Sequence, residues 1–197
     1  MKILVIDGIE SNAKEECLAS TIFLKPDSAL LKDGKPFFIP DFCESLSYNL
    51  SLVVRINRLG KNIATRFAHR YYEEVSLGVD LYDKRLLDKA IEKGLPWDLA
   101  KGFDGSAIHG DFVKIPEKGL TSLTFSFQLN KKNRAKVDIT TASACIDDII
   151  ARLSQFYTFK IGDLLFINLD VKGDSLRMNQ HFEGSIDNTK ILDFNIK

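Results

Sequence analysis

The sequence predicts one mixed domain dominated by β-structure and carrying a few helices. Runs that alternate apolar and polar residues outnumber runs of helical period, which favours strands over helices. The longest alternation, Leu46 to Ile56, puts Leu46, Tyr48, Leu50, Leu52 and Val54 on one face and Ser47, Asn49, Ser51, Val53 and Arg55 on the other. Fourteen Phe supply large side chains for packing between sheets. No internal repeat, low-complexity stretch or linker divides the chain, so residues 1–197 read as a single domain.

In chain order, Lys2 to Ile6 is a compact Ile/Val-rich run and reads as a buried strand. Asn12 to Leu18 follows as a short helix. Thr21 to Lys25 is a strand stopped by Pro26, which has no N–H to continue a ladder. Gly34 to Pro40 encloses Phe37, Phe38 and Ile39 and reads as a brief strand. Leu46 to Ile56 is the central strand, with one face predicted buried. Ile63 to Glu74 is helix-like, because Ile63, Phe67, Tyr71 and Val75 recur every four residues. Ser76 to Leu81 is a strand carrying Asp80. Asp83 to about Lys93 is a helix with Leu86, Leu87, Ala90 and Ile91 on its apolar stripe and Gly94 as its C-cap. Trp97 to Ile108 is loop-like. Leu123 to Leu129 alternates cleanly, turns at Asn130 to Asn133 and returns over Arg134 to Ile139. Ser143 caps a helix whose Ile146, Ile149, Ile150 and Leu153 face inward. A turn at Lys160 feeds a buried strand ending near Ile167, and Lys172 to Asn179 is a polar loop. Phe182 to Ile186 and Lys190 to Ile196 form a final hairpin about Asp187-Asn188.

The totals exclude several function classes. With 27 basic and 27 acidic residues the formal net charge is zero, so no basic excess points to nucleic acid and no acidic tail to a solvating role. No apolar run reaches membrane-spanning length, and Asp7 interrupts the short N-terminal run before it resembles a signal peptide. Cys17, Cys43 and Cys145 are odd in number, widely spaced and free of a Cys-x-x-Cys pair; they read as reduced thiols in a cytoplasmic protein.

Few residues announce chemistry on their own. His69, His109 and His181 are scattered; His109 sits in a loop near Asp104. Glu73-Glu74 reads as a solvated helix face, and Lys131 to Lys136 as a basic hairpin tip too small for a phosphate groove. Asn49 and Ser51 share a strand face and can line a pocket, although neither is a base or a strong metal ligand. Asp80 follows an apolar stretch, which places it either at a strand end or in a cleft. Lys101, beside Trp97, is a substrate clamp or a surface lysine.

Five stretches carry a resemblance. They are Phe23 to Ala29 (Phe-Leu-Lys-Pro-Asp-Ser-Ala), Leu52 to Lys61, Phe67 to Tyr72, Gly94 to Ala107 (with Gly-Leu-Pro-Trp, Ala-Lys and Phe-Asp) and Phe159 to Phe166. In these the chain closely resembles the fumarylacetoacetate hydrolase family, which includes small acylpyruvate hydrolases, oxaloacetate decarboxylases and hydroxyheptadienedioate isomerases. The resemblance implies a β-roll or β-sandwich fold with helices, usually a homodimer. It also implies an Mg²⁺ or Mn²⁺ ion that binds neighbouring oxygens of a small 2-oxo acid and stabilises an enolate during C–C cleavage. That family holds its metal with Glu-x-Glu on the central strand and an Asp about thirty residues later. Here the Glu positions are Asn49 and Ser51, and Asp80 alone remains. The mobile-segment His appears as Asn12, the Thr-Gly-Thr-Pro substrate loop as Ile167 to Asp170, the Asn-Thr-Ser-x-Met segment as Asp138 to Ala142, and the Arg after the metal Asp as Lys84. Lys101 and Asp104 stand at catalytic positions and Lys25 and Lys84 at substrate-binding ones.

Replacing two carboxylates by an amide and a hydroxyl removes two negative charges from a site that a hard cation needs anionic. The sequence therefore leads first to a family member that has lost the usual metal chemistry and serves as a binding or partner subunit, with Mg²⁺ or Mn²⁺ weak or absent. The alternative is an active hydrolase, isomerase or decarboxylase on an acylpyruvate or 2-oxo acid, with an altered metal site. A purely structural dimer is the third reading.

Overall fold

The computed structural model describes residues 1–8, 21–31, 34–130 and 135–197. The Asn12 to Leu18 helix, the Asn12 position itself and the 131–134 tip lie outside the described residues.

Strands β1 (Ile3–Asp7), β2 (Thr21–Lys25) and β3 (Leu30–Leu31) precede β4 (Leu46–Ile56). After α1 (Thr65–Ala68) come β5 (Tyr72–Asp83), α2 (Lys84–Lys93), α3 (Asp98–Lys101), β6 (Ala107–His109) and β7 (Val113–Lys114). Then follow β8 (Phe125–Leu129), β9 (Ala135–Val137), α4 (Thr140–Phe156), β10 (Leu164–Gly173), β11 (His181–Ile186) and β12 (Thr189–Asn195). An eight-stranded mixed sheet runs β2-β1-β10-β4-β5-β6-β3, with β7 beside β5; a second sheet runs β12-β11-β8-β9.

The large sheet curls into a half-barrel, and the chain requires it. Strands β2 and β3 stand at opposite ends of the path, which a flat sheet would hold about 29 Å apart at about 4.8 Å per strand. Lys25 and Leu30 are joined through Pro26 and the 3-10 turn Asp27–Ala29, a connection that reaches at most about 18 Å. The two edges therefore approach each other, and β2 comes within reach of β5.

The predicted face of β4 is the core face. Leu46, Tyr48, Leu50, Leu52, Val54 and Ile56 pack with Phe125, Phe127, Phe182 and Phe194 of the small sheet and with Ile146, Ile149, Ile150 and Leu153 of α4. Phe182 stacks on Phe194 at 4.7 Å and meets Tyr48 edge-on at 5.1 Å.

The opposite face of β4 is buried too, which corrects the expectation of a half-exposed strand. Curling places this face inside the half-barrel. Val53 packs there with Ile3, Val5, Ala107, Leu164 and Phe166 in a second apolar cluster, while Ser47, Asn49 and Ser51 occupy the polar end.

Other expectations change with tertiary context. The helix foreseen over Ile63 to Glu74 shrinks to Thr65–Ala68 and a 3-10 turn at His69–Tyr71, and Tyr72 already begins β5. Phe67, meant for the apolar stripe, is exposed. Glu73 and Glu74 are strand residues: Glu74 pairs with Arg55 and Glu73 accepts from Asn57 at 2.7 Å. Gly34 to Pro40 forms no strand among its described residues beyond a bridge from Phe37 to Ile196. The loop expected over Trp97 to Ile108 contains α3 and the start of β6. Helix α4 starts at Thr140, not after Ser143, because Asp138 already accepts from Thr140 N at 2.8 Å. Strand β10 continues to Gly173 through a register shift between Asn168 and Lys172. Cys43 is a free thiol, but Cys145 is disulfide-bonded, since separation in sequence does not fix separation of sulfurs. Among the described residues no helix is long and apolar enough to cross a membrane.

Candidate functional site

The polar end of the inner face is assembled by strand register. Asn49 on β4 lies opposite Asp80 on β5, and Ser51 lies opposite Asn168 on β10. Period-two geometry points all four side chains to one side of the sheet. The curl adds Lys25 from the end of β2, and α3 adds Lys101. All six residues are buried.

Asp80 is the hub. Its Oδ2 accepts from Asn49 Nδ2 at 3.3 Å and from Asn168 Nδ2 at 3.2 Å. Lys101 Nζ lies 3.5 Å from the same oxygen. Oδ1 has Lys25 Nζ at 2.6 Å. This is an ion pair rather than a well-directed hydrogen bond, because Lys25 also donates to Leu81 O at 3.0 Å, Ser106 O at 2.8 Å and Ser106 Oγ at 3.1 Å. Three donations account for the three ammonium hydrogens. Ser51 Oγ donates to Asn168 Oδ1 at 2.7 Å and closes the network.

Burial is the largest single influence on both partners, but it decides the direction only for Lys25. It lowers Lys25 from 10.5 to about 8, with Asp80 pulling the other way. It also works to raise Asp80, but the Lys25 and Lys101 ammoniums and the Asn168 amide outweigh it and hold the carboxyl below its ordinary range. Lys101 faces outward from this hub. Its Nζ lies 3.5 Å from Asp7 Oδ2, a carboxylate 37% exposed, and 4.3 and 4.7 Å from the Phe23 and Tyr82 ring centres. A cavity of about 320 Å³ lined by Phe23, Pro96, Trp97 and Lys101 adjoins it, a size at the lower end for small-molecule pockets.

The donor set does not fit the divalent cation implied by the resemblance. Three carboxylates against two ammoniums give a net charge of −1, which a dication brings to +1. Asp80 against Lys25 and Lys101 gives +1 instead, and a dication would raise it to +3; counting Asp7 removes only one of those charges. At an effective dielectric of about 20, such excess charge within a few ångströms costs several kcal/mol. Neither oxygen of Asp80 is open, since Oδ1 faces an ammonium and Oδ2 faces two amide hydrogens. Among the described residues no group of three His, Cys, Asp or Glu could hold a metal.

The structure thus brings together Lys25, Asn49, Ser51, Asp80 and Lys101. It does not bring in Asp104, which is exposed in the turn after Phe103, or Lys84, which pairs with Asp88 at 2.8 Å on the outside of α2. His109 is a strand residue held to Gly110 O at 2.7 Å and packed on Phe112. It lines a separate cavity of about 620 Å³ against β12. His181 pairs with Asp193 at 2.6 Å near the end of the chain.

Three participants escape the sequence: Asp7, Ser106 and Asn168. Asn168 gave two signals, as the polar residue closing the apolar run Leu164 to Ile167 and as part of the Ile167 to Asp170 stretch at the substrate-loop position, but its partners depend on which strand pairs with β10. Ser106 comes into range through the pairing of β6 with β5, where its carbonyl accepts from Leu81 N at 2.8 Å, and Asp7 lies on β1, across the inside of the curled sheet.

Comparison with known proteins agrees with this fold. The family description "Fumarylacetoacetate (FAA) hydrolase C-terminal" matches residues 6–167. The mitochondrial oxaloacetate tautomerase FAHD1 of Rattus norvegicus is 28% identical over 179 residues, covering 89% of this chain and 80% of that protein. The Homo sapiens protein of the same name is 26% identical over the same shares. Fumarylpyruvate hydrolase from Pseudomonas aeruginosa, solved with Mn²⁺ and pyruvate, superposes with a TM-score of 0.84 at 20% identity, covering 100% of this chain and 89% of that one. A 2-hydroxyhepta-2,4-diene-1,7-dioate isomerase from Mycobacterium marinum gives 0.79 at 20% identity, with 99% and 73% covered.

Proposed function

The chain belongs to the fumarylacetoacetate hydrolase family, and from that premise we propose that it has exchanged the family's divalent-metal chemistry for an internally satisfied polar cluster. It acts as a binding or partner subunit rather than as a metal-dependent hydrolase, decarboxylase or isomerase. One observation carries this reading. Asp80 is the one carboxylate left at the three metal positions, and it is already engaged by Lys25, Lys101, Asn49 and Asn168. A hard cation would have to displace two amides and approach two ammoniums.

The ligand assigned to the site is a small 2-oxo acid, the class represented by pyruvate in the Pseudomonas relative. Lys101 meets its carboxylate by displacing the half-exposed Asp7. Assembly as a homodimer draws support from the apolar surface nearby: Leu24, Phe42 and Leu99 line an apolar hollow, and Leu99 is 82% exposed.

A second reading, turnover of a 2-oxo acid, is favoured by the retention of Lys101, a buried ammonium whose carboxylate contacts are no closer than 3.5 Å. Two measurements on the full chain separate the readings. Calorimetric titration with Mg²⁺ and Mn²⁺ is expected to give no binding in the micromolar range. Pyruvate is expected to raise the melting temperature equally with and without metal. Micromolar Mn²⁺ binding, or metal-dependent oxaloacetate consumption, would sink the first reading.

A further inference from the structure

Resting on that reading, we infer that Asn168 fills the cation position, and that the site refuses a divalent ion even when carboxylates are returned to positions 49 and 51. The strand order is β10-β4-β5. Asn168 therefore reaches Asp80 only by crossing β4, and its route passes over Ser51. Its carboxamide lies over the patch of sheet bounded by Asn49, Ser51 and Asp80, where ligands from those three positions would have to converge. The chain bulges directly after it: between the pairs Asn168–Ser51 and Lys172–Asn49, three residues of β10 stand against the single Leu50 of β4. In the Thr-Gly-Thr-Pro pattern that the chain otherwise resembles, this position is a glycine and projects no side chain.

Both ends of the amide are fixed by chemistry. An ionised Asp80 can only accept, so the nitrogen must face it, at 3.2 Å. The oxygen then faces the Ser51 hydroxyl, at 2.7 Å. A glutamate at 51 replaces that donor with a second acceptor-only group. Left as it is, Asn168 then opposes oxygen to oxygen at position 51; turned over, it opposes oxygen to oxygen at Asp80. Neither orientation serves both carboxylates. The added charge therefore meets a plugged site, and a cation binds only once the plug is removed.

The test is Mn²⁺ binding by calorimetry, with bound ion read independently from loss of the free-ion electron paramagnetic resonance signal. Three full-length proteins are compared: the natural chain, Asn49→Glu/Ser51→Glu, and the same double variant with Asn168→Gly. The natural chain is expected not to bind, and the triple variant to bind at least about tenfold tighter than the double. Equal binding by double and triple variants overturns the role of Asn168 and leaves the proposed function standing. Micromolar binding by the natural chain overturns both. Should the triple variant fail to fold, the milder pair Ser51→Glu and Ser51→Glu/Asn168→Ala decides. The same tenfold gain is expected there, and its absence in folded protein overturns the inference.

Discussion

Asp80→Asn is the sharpest perturbation of the cluster. It removes one charge and almost no volume. Lys25 loses a carboxylate at 2.6 Å and Lys101 one at 3.5 Å, so two buried ammoniums are left against a neutral group. Breaking a buried ion pair from one side costs about 3–5 kcal/mol. Lys25 keeps its bonds to Leu81 and Ser106, and Lys101 keeps Asp7, which favours the lower half, about 3–4 kcal/mol. For a chain of this size that is a fall in Tm of roughly 6–16 °C, taking about 2–4 °C per kcal/mol. The loss also depends on pH, with a definite sign. The folded-state pKa of Lys25 is lowered from 10.5 to about 8 while Asp80 works to raise it, so removing Asp80 lowers it further. Between a lowered folded pKa and the unfolded value, the unfolded chain binds more protons, and stability rises with pH. That window opens at about 8 in the natural chain and earlier in the variant. While Asp80 stays ionised, the gap between the two proteins is therefore wider at about pH 6 and narrows on the way to about pH 8, and it closes again in strong acid as Asp80 protonates. Urea titrations of both proteins at about pH 6 and about pH 8 measure it. A gap below about 1 kcal/mol, or one that does not change with pH, refutes the assignment of Asp80 as the buried counter-ion.

Lys101→Met should change stability by no more than about 1 kcal/mol, because Asp80 keeps Lys25 and Asp7 can turn to water; the pyruvate-induced rise in Tm should vanish, and its survival would remove Lys101 from the binding role. Asp83→Ala deletes the N-cap of α2, which accepts from Leu86 N at 3.2 Å and from Glu44 N at 3.1 Å, and should cost about 1–2 kcal/mol in urea denaturation. Gly94→Ala and Gly78→Ala should separate cleanly. Gly94 has open space around it but a φ of +62°, so its cost is backbone strain of about 1 kcal/mol. A Cβ at Gly78 would lie 2.5 Å from Val53 Cγ2 and 2.7 Å from Ile108 O, and should cost about 3 kcal/mol or prevent folding; similar values for the two would contradict the packing of β5 against β4.

Period and punctuation explain what was legible of the fold. The alternation Leu46 to Ile56 gives β4 to the residue, and Asp83 and Gly94 bracket α2, because these signals are local. The four-residue spacing of Ile63, Phe67, Tyr71 and Val75 misleads. An equally regular alternation of Val75, Leu77, Val79 and Leu81 belongs to β5 and begins inside it. Where two periods overlap, pairing decides: β5 lies against β4 along nearly its whole length, and ladder bonds outweigh the helix preference of Glu73 and Glu74. The second buried face of β4 was hidden for a related reason. Asn49 and Ser51 read as able to line a pocket, but the alternation of β4 carries no sign that a curled sheet encloses the whole of that face.

The same division runs through the site. Asn49, Ser51 and Asp80 were legible as positions, since a shared strand face and a resemblance both mark them. What they do together was not, because it depends on Asn168. Asn49 and Asn168 each give one amide hydrogen bond to Asp80, and Ser51 gives its hydroxyl to Asn168. Each of these three exchanges makes sense only beside the others. Loss of a buried partner leaves a polar group unsatisfied at about 1–3 kcal/mol, so a site that had merely decayed one residue at a time would carry unpaired atoms. Here the Asn49 and Asn168 amide nitrogens and the Ser51 hydroxyl each have a partner, and Asp80 Oδ1, which has no hydrogen bond, has the Lys25 ammonium at 2.6 Å. The network closes the inner face of the half-barrel around Asp80 and Lys25, while Lys101 also reaches Asp7 and borders the adjoining cavity.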